Sequence, residues 1–225
     1  MDTDALLQPR PTVALGTPTL ANTSIVISNY TGDSVTVNYT GLPGNQPQSY
    51  KNFVAIWQSS VIPWGNLPLS RQDIGDNSEQ GSIVLSGLTI TRSSYIVGYG
   101  VGPDVSNISC CAIISAGGLL APPTTVGIGL DNVGITSLTV NYQTLAGYTP
   151  NTYENWIGLW KGYASPFNGT APLAKVSITD DSNQGSIGIN NVPLGINTEY
   201  TLVYFCGAAY TTAAAILTFN TNDQA

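Results

Sequence analysis

Two short loops hold the most specific polar chemistry in this chain, Asp76-Asn77-Ser78-Glu79-Gln80-Gly81-Ser82 and Asp180-Asp181-Ser182-Asn183-Gln184-Gly185-Ser186. Their short oxygen-bearing side chains could ligate Ca²⁺, which takes about six to eight oxygens, or hydrogen-bond the hydroxyls of a sugar. Asp, Asn, Ser and Gly are also what a solvated turn demands. Each loop brings too few carboxylates for a closed metal site, so no cofactor is expected and Ca²⁺ is the only ion to consider. Two aromatic residues follow prolines in loop-like stretches, Trp64 after Pro63 and Phe167 after Pro166. An aromatic at a loop tip can stack on a sugar face or enter a partner's pocket; it can also fold back and plug one end of a domain. The candidate ligand sets are therefore Trp64 with Asp76, Asn77 and Gln80, and Phe167 with Asp180, Asp181 and Gln184.

Catalysis finds little support. The sequence has no histidine, which removes Ser-His-acid and Cys-His nucleophiles and the commonest general base. It also removes any histidine-driven switch near neutral pH. There is no P-loop, and no Gly-x-Gly-x-x-Gly opens a helix. Of the carboxylate pairs that glycoside hydrolysis needs, the only local one of note is Asp180-Asp181. An enzyme is the least expected class. Lys and Arg number 6 against 13 Asp and Glu, a net charge of −7, so nucleic acid is not an expected partner. Charged residues are only 8% of the chain, against about 25% in an ordinary soluble domain. Hydrophobic residues make up 42%, ample for a core, yet no apolar run reaches the roughly 20 residues of a spanning helix. The first ten residues do not read as a secretory signal. Cys110, Cys111 and Cys206 make a poor disulfide framework and read as buried free thiols. Asn-x-Ser/Thr triplets at Asn22, Asn29, Asn38, Asn107 and Asn168 arise easily in so Asn-, Ser- and Thr-rich a chain.

Both candidate sets recur because the chain is internally repeated. Ser34-Val35-Thr36-Val37-Asn38-Tyr39 returns as Ser137-Leu138-Thr139-Val140-Asn141-Tyr142, an offset of 103 residues. Tyr50-Lys51-Asn52-Phe53-Val54-Ala55-Ile56-Trp57 returns at the same offset as Tyr153-Glu154-Asn155-Trp156-Ile157-Gly158-Leu159-Trp160. The Asp76 and Asp180 loops follow at 104, and Tyr95 and Tyr99 answer to Tyr200 and Tyr204 at 105. Ordered matches with small drifts indicate one domain duplicated in tandem. The copies span 20–118 and 125–225. An extended arm, 1–19, precedes them, and a stiff Pro-containing linker, 119–124, joins them.

Period-two alternation and short β-branched runs predict strands near 25–30, 34–40, 53–58, 82–86, 94–101 and 110–115 in the first copy. The second copy yields 126–131, 137–143, 156–161, 174–179, 186–190, 199–206 and 213–219. No window has a helical stripe. Six or seven short strands per roughly 100 residues is the count of an immunoglobulin-like sandwich, so the expected fold is all-β, two tandem duplicated immunoglobulin-like β-sandwich domains. Phe53, Ala55 and Trp57 share one face of their strand, as do Trp156, Gly158 and Trp160; both stripes read as core.

The segment Asn155-Trp156-Ile157-Gly158-Leu159-Trp160-Lys161 resembles the Asp-Trp-Ile-Gly-aliphatic-aromatic strand of SKICH-type domains and a similar strand in the N-terminal sandwiches of purple acid phosphatases. Glu199-Tyr200-Thr201-Leu202-Val203-Tyr204-Phe205 is similar to their later Tyr-rich strand. The resemblance covers about fifteen residues per copy, with Asn at the family's Asp in both. It implies a recognition or scaffold module and no activity. The leading expectation is thus a non-enzymatic recognition protein with two similar modules, lectin-like, binding a glycan or other cell-surface ligand. The alternative is a structural, self-assembling protein of a surface, filament or inclusion, forming homo-oligomers through its N-terminal arm or sheet edges. Neither is an integral membrane protein.

Overall fold

The computed structural model describes residues 17–221; most of the arm lies outside them. Sixteen strands follow one another: β1 (Thr19–Asn22), β2 (Ser24–Tyr30), β3 (Ser34–Thr40), β4 (Phe53–Trp57), β5 (Ser70–Asp73), β6 (Gln80–Ser86), β7 (Tyr95–Gly100) and β8 (Ile108–Ile114). Then come β9 (Leu120–Thr125), β10 (Gly127–Val133), β11 (Ser137–Gln143), β12 (Trp156–Lys161), β13 (Ala174–Ser177), β14 (Gln184–Asn190), β15 (Thr198–Phe205) and β16 (Ala213–Thr221). Among the described residues only two single 3-10 turns, Val105–Asn107 and Tyr210–Thr212, are helical. No described helix is long and apolar enough to cross a membrane.

The protein is all-β. In the first half a three-stranded sheet, β2-β3-β6, faces a five-stranded one, β5-β4-β7-β8-β9. The second half repeats this as β10-β11-β14 over β13-β12-β15-β16-β1. The strand orders superimpose one for one, and the fifth strand of each large sheet is the segment leading into the other half. The stretch expected to be a stiff, extended linker is β9, paired with β8. Its counterpart β1 pairs across the chain with β16, Leu20 opposite Leu217. Each leading segment thus spends its first residues on one sandwich and its next on the other. The two crossing points touch, where the Thr125 hydroxyl donates to the Thr23 carbonyl at 2.9 Å.

Alternation builds the core between the sheets. In β3 the residues Val35, Val37 and Tyr39 are buried and their neighbours are not; Leu138, Val140 and Tyr142 do the same in β11. Tyr39 stacks on Tyr99 across the gap, ring centroids 5.4 Å apart, and Tyr142 meets Tyr204 at 6.1 Å. Val54 lies opposite Tyr99 in the ladder, and Ile157 opposite Tyr204. The between-sheet core is therefore Val54 and Ile56, and Ile157 and Leu159.

The expected stripes of Phe53, Ala55 and Trp57, and of Trp156, Gly158 and Trp160, are buried, but on the opposite face, outside each sandwich. They are core, as the alternation predicts, and the alternate residues are buried too, because β4 and β12 are covered on both sides. The cover is the other copy. Leu42, in the β3–β4 loop, is 1% exposed and packs with Trp156, Trp160, Val203, Phe205 and Ile216. Its counterpart Leu145, in the β11–β12 loop, lines a small cavity with Ile62, Ile96, Cys111 and Ile113 of the first copy. Such reciprocity is that of a two-fold dimer, here within one chain. At its centre the Asn107 side chain donates to the Cys206 carbonyl at 2.6 Å.

Basic side chains close the rim. The Arg71 guanidinium lies 3.8 Å from the Phe53 ring centroid, and the Lys175 ammonium 4.1 Å from that of Trp156. All three cysteines are free and buried. Burial pushes Cys110 up to about 12 and Cys111 up to about 11, and Cys206 rises for the same reason. A thiol needs its thiolate to react, so Ellman's reagent at pH 8 should titrate none of them in the native protein and three in urea.

Candidate functional site

The duplicated Asp loops act first as fasteners. The Ser78 backbone N–H donates to Asp76 Oδ1 at 2.8 Å, and Ser182 does the same for Asp180. At Asp76 the Ser78 N–H and then its hydroxyl lower the carboxyl pKa; at Asp180 the Ser182 hydroxyl leads and its N–H follows. The next residue reaches to the loop ahead of β4 or β12. Asn77 Oδ1 accepts from the Ser49 N–H at 3.0 Å. Asp181 takes the Thr152 N–H on Oδ1 at 2.8 Å and the Thr152 hydroxyl on Oδ2 at 2.9 Å. These contacts are those of a turn. Among the described residues no group of three or more Cys, Asp and Glu gathers as metal ligands do. Gln80 and Gln184 begin β6 and β14, exposed, opposite Thr40 and Gln143.

The two aromatic residues do not join their own copy's loop. Trp64 crosses to the second copy, where its indole N–H donates to the Ala146 carbonyl at 3.1 Å. Its ring lies edge-on to Tyr148 at 4.8 Å and tilted over Tyr153 at 6.5 Å. Phe167 crosses the other way and stacks on Tyr50 at 5.4 Å. Tyr50 and Tyr153 are counterparts, so the exchange is reciprocal. Each aromatic is half-buried. The receiving loops need glycine at the point of approach: Gly44 and Gly147 have φ of +85° and +69°. A Cβ on Gly44 would sit 2.8 Å from Ser165 Oγ, and left-handed backbone is the conformation glycine adopts without penalty.

The structure therefore regroups the candidate residues across the copies. Trp64 sits on the loop that Asp181 fastens, and Phe167 on the loop that Asn77 fastens. In the second copy residues 146–149 and 181–184 line one open cleft, with Asp181 and Gln184 on its wall and Trp64 at Ala146 and Gly147. The first copy differs. There Glu79 reaches across, and its Oε1 accepts from the Gly44 N–H at 2.6 Å; the residue in its place beside the second cleft is Asn183, one methylene shorter. Sequence reasoning missed Tyr50, Tyr153, Tyr148 and Glu79. Tyr50 and Tyr153 recur at the offset of the other repeats, which was the signal available.

A second asymmetry lies beneath. In the second copy Asn155 donates to Tyr148 Oη at 2.9 Å and accepts from the Tyr204 hydroxyl at 2.9 Å, while the Tyr148 hydroxyl donates to the Ser106 carbonyl at 2.7 Å. In the first copy Asn45 stands in Tyr148's place and donates to Tyr99 Oη at 3.1 Å. Asn52, the counterpart of Asn155, is fully buried, with no partner for either side-chain polar atom among the described residues.

No protein-family model and no curated protein matches the chain. Solved structures do. The FN1-FN3 domains of chicken CNTN1 are 14% identical with a TM-score of 0.28, over 88% of this chain and 64% of that one. A Salmonella alpha-2-macroglobulin reacted with methylamine is 9% identical with a TM-score of 0.29, over 90% and 16%. The BSP domain of a biofilm associated protein is 12% identical with a TM-score of 0.24, over 82% and 26%. The chain spans less than two thirds of each.

Proposed function

We propose that this is a non-enzymatic recognition protein that binds carbohydrate, a glycan of a cell surface or matrix, in the second copy's cleft beside the Trp64 contact. One observation carries the reading. The half-buried Trp64 ring of the first copy is seated at Ala146 and Gly147 of the second, whose loop lines an open cleft together with Asp181 and Gln184. An aromatic face beside carboxylate and amide groups suits a sugar, which offers an apolar C–H face and a ring of hydroxyls. The strand-level likeness to SKICH-type and phosphatase N-terminal sandwiches agrees with a recognition or scaffold role. Glu79 occupies the loop amide at the equivalent place in the first copy, so the working site is single. The two copies then serve as one rigid frame and not as two avid modules.

Gln184 tests this better than Trp64, whose ring also holds the copies together. Gln184→Ala should lower retention on a glycan array or matrix at least five-fold with an unchanged melting temperature, since exposed surface changes are usually within about 0.5 kcal/mol. Undiminished retention by the variant, or no saccharide bound by the wild type at millimolar concentration, would overturn the reading in favour of the structural one.

A further inference from the structure

The guard strands of the two large sheets are held differently. β9 is tied at both ends: it leaves β8 through a tight turn, where the Ser115 N–H donates to the Leu119 carbonyl at 2.9 Å, and it continues into β10. β1 is joined to β2 through the single residue Thr23. It makes four ladder pairs with β16. Thr19 and Leu20 are exposed, and Ala21 and Asn22 are half-buried. Short strands with so little burial belong to the low-stability end of local opening.

What β1 covers is an edge that other proteins take care to blunt. β16 reads Ala213-Ala214-Ala215-Ile216-Leu217-Thr218-Phe219-Asn220-Thr221, with no charge, no proline and no glycine. The other outer edges of the large sheets carry such devices: Arg71 and Asp73 on β5, Lys175 on β13, and Pro122-Pro123 on β9. Charge and proline protect an edge by themselves. Nothing in β16 does, so its protection is β1 alone. An uncharged apolar strand with an unpaired ladder templates another strand.

We propose that β1 is an exchangeable strand, and that the protein associates with a second copy of itself by seating β1 of one molecule on β16 of the next. The exchanged ladder reproduces the internal one pair for pair, so the two states differ mainly in the tether. Internal pairing then dominates until protein concentration approaches the effective concentration of the tethered strand, on the order of millimolar for a short connection. Strand exchange opens the chain beside the buried Thr23, whose N–H releases the Ala214 carbonyl as β1 leaves β16. This inference stands whether or not the cleft binds sugar.

The test uses two full-length single variants, Thr19→Cys and Thr218→Cys, at facing positions in the ladder. Thr19 is exposed and Thr218 half-buried, so both variants should fold. A tag on one chain distinguishes them by size. The variants are mixed under reducing conditions at 10 µM and at 1 mM, held for a day, oxidised, and separated on a non-reducing gel. At 1 mM the mixed disulfide should exceed the two like-with-like disulfides several-fold, and it should fall at least five-fold at 10 µM. Mixed and like products in the random ratio, or no mixed product at 1 mM, would overturn the proposal.

Discussion

Trp160→Ala should lower the free energy of unfolding by about 3–5 kcal/mol, the range for deleting a buried large aromatic. The ring is 3% exposed, its N–H donates to the Thr170 carbonyl at 2.8 Å, and it lies among Trp156, Phe205 and Leu42 of the other copy. Urea melts measure the loss. Because the ring packs outside its own sandwich, the variant should also loosen the contact between copies, seen as earlier proteolysis near the β3–β4 loop that carries Leu42. Trp57→Ala, whose N–H bonds the Asn66 carbonyl at 3.1 Å, should behave alike. Trp64→Ala, from a half-buried ring with one hydrogen bond, should cost about 1–3 kcal/mol. Equal costs at Trp64 and Trp160 would show that the cleft aromatic is as much core as the sheet tryptophan.

Asn155→Ala and Asn52→Ala should differ by more than any other pair of equivalent changes. Removing Asn155 strips the buried Tyr204 hydroxyl of its acceptor and Tyr148 of a donor, at a cost of about 1–3 kcal/mol for each group left unpaired. A total near 3–5 kcal/mol is expected in denaturant melts. Asn52 gives up no hydrogen bond that the described residues offer, so Asn52→Ala should lie within about 1 kcal/mol of wild type. Equal losses at the two positions would mean that Asn52 is as well satisfied as Asn155.

Most of the fold could be read from the sequence, and particular residues show why. Val35, Val37 and Tyr39 alternate with polar neighbours, as a strand with one wet face must. Asn52 to Trp57 recurs as Asn155 to Trp160, with the Asn and the last Trp kept and apolar residues between, which made the repeat plain. Other strands were hidden. β5, Ser-Arg-Gln-Asp, has no apolar alternation, and the Pro122-Pro123 pair in β9 reads as a spacer until its partner strand is known, because proline is tolerated at a sheet edge. The candidate site was legible in kind and not in grouping. A duplicated sequence offers two equivalent partners for every residue, so nothing in Trp64 says whether it meets Tyr50 of its own copy or Tyr153 of the other. Only the crossing of the leading segments decides that.

The β1–β16 pairing also dictates an order of assembly. The Thr218 hydroxyl donates to the Thr19 carbonyl across 199 residues of chain, so this closure is the most non-local among the described residues and among the slowest to form. During synthesis the first copy emerges complete except for its fifth strand. The β8–β9 hairpin can then form locally, but the outer face bearing Trp57 and Ile96 waits for Leu145 to arrive. Until the ribosome has released β16, β1 has nothing to pair with. The nascent protein therefore carries a bare tryptophan-bearing sheet face and an idle strand together, and its yield in cells should depend on how quickly the second copy follows the first.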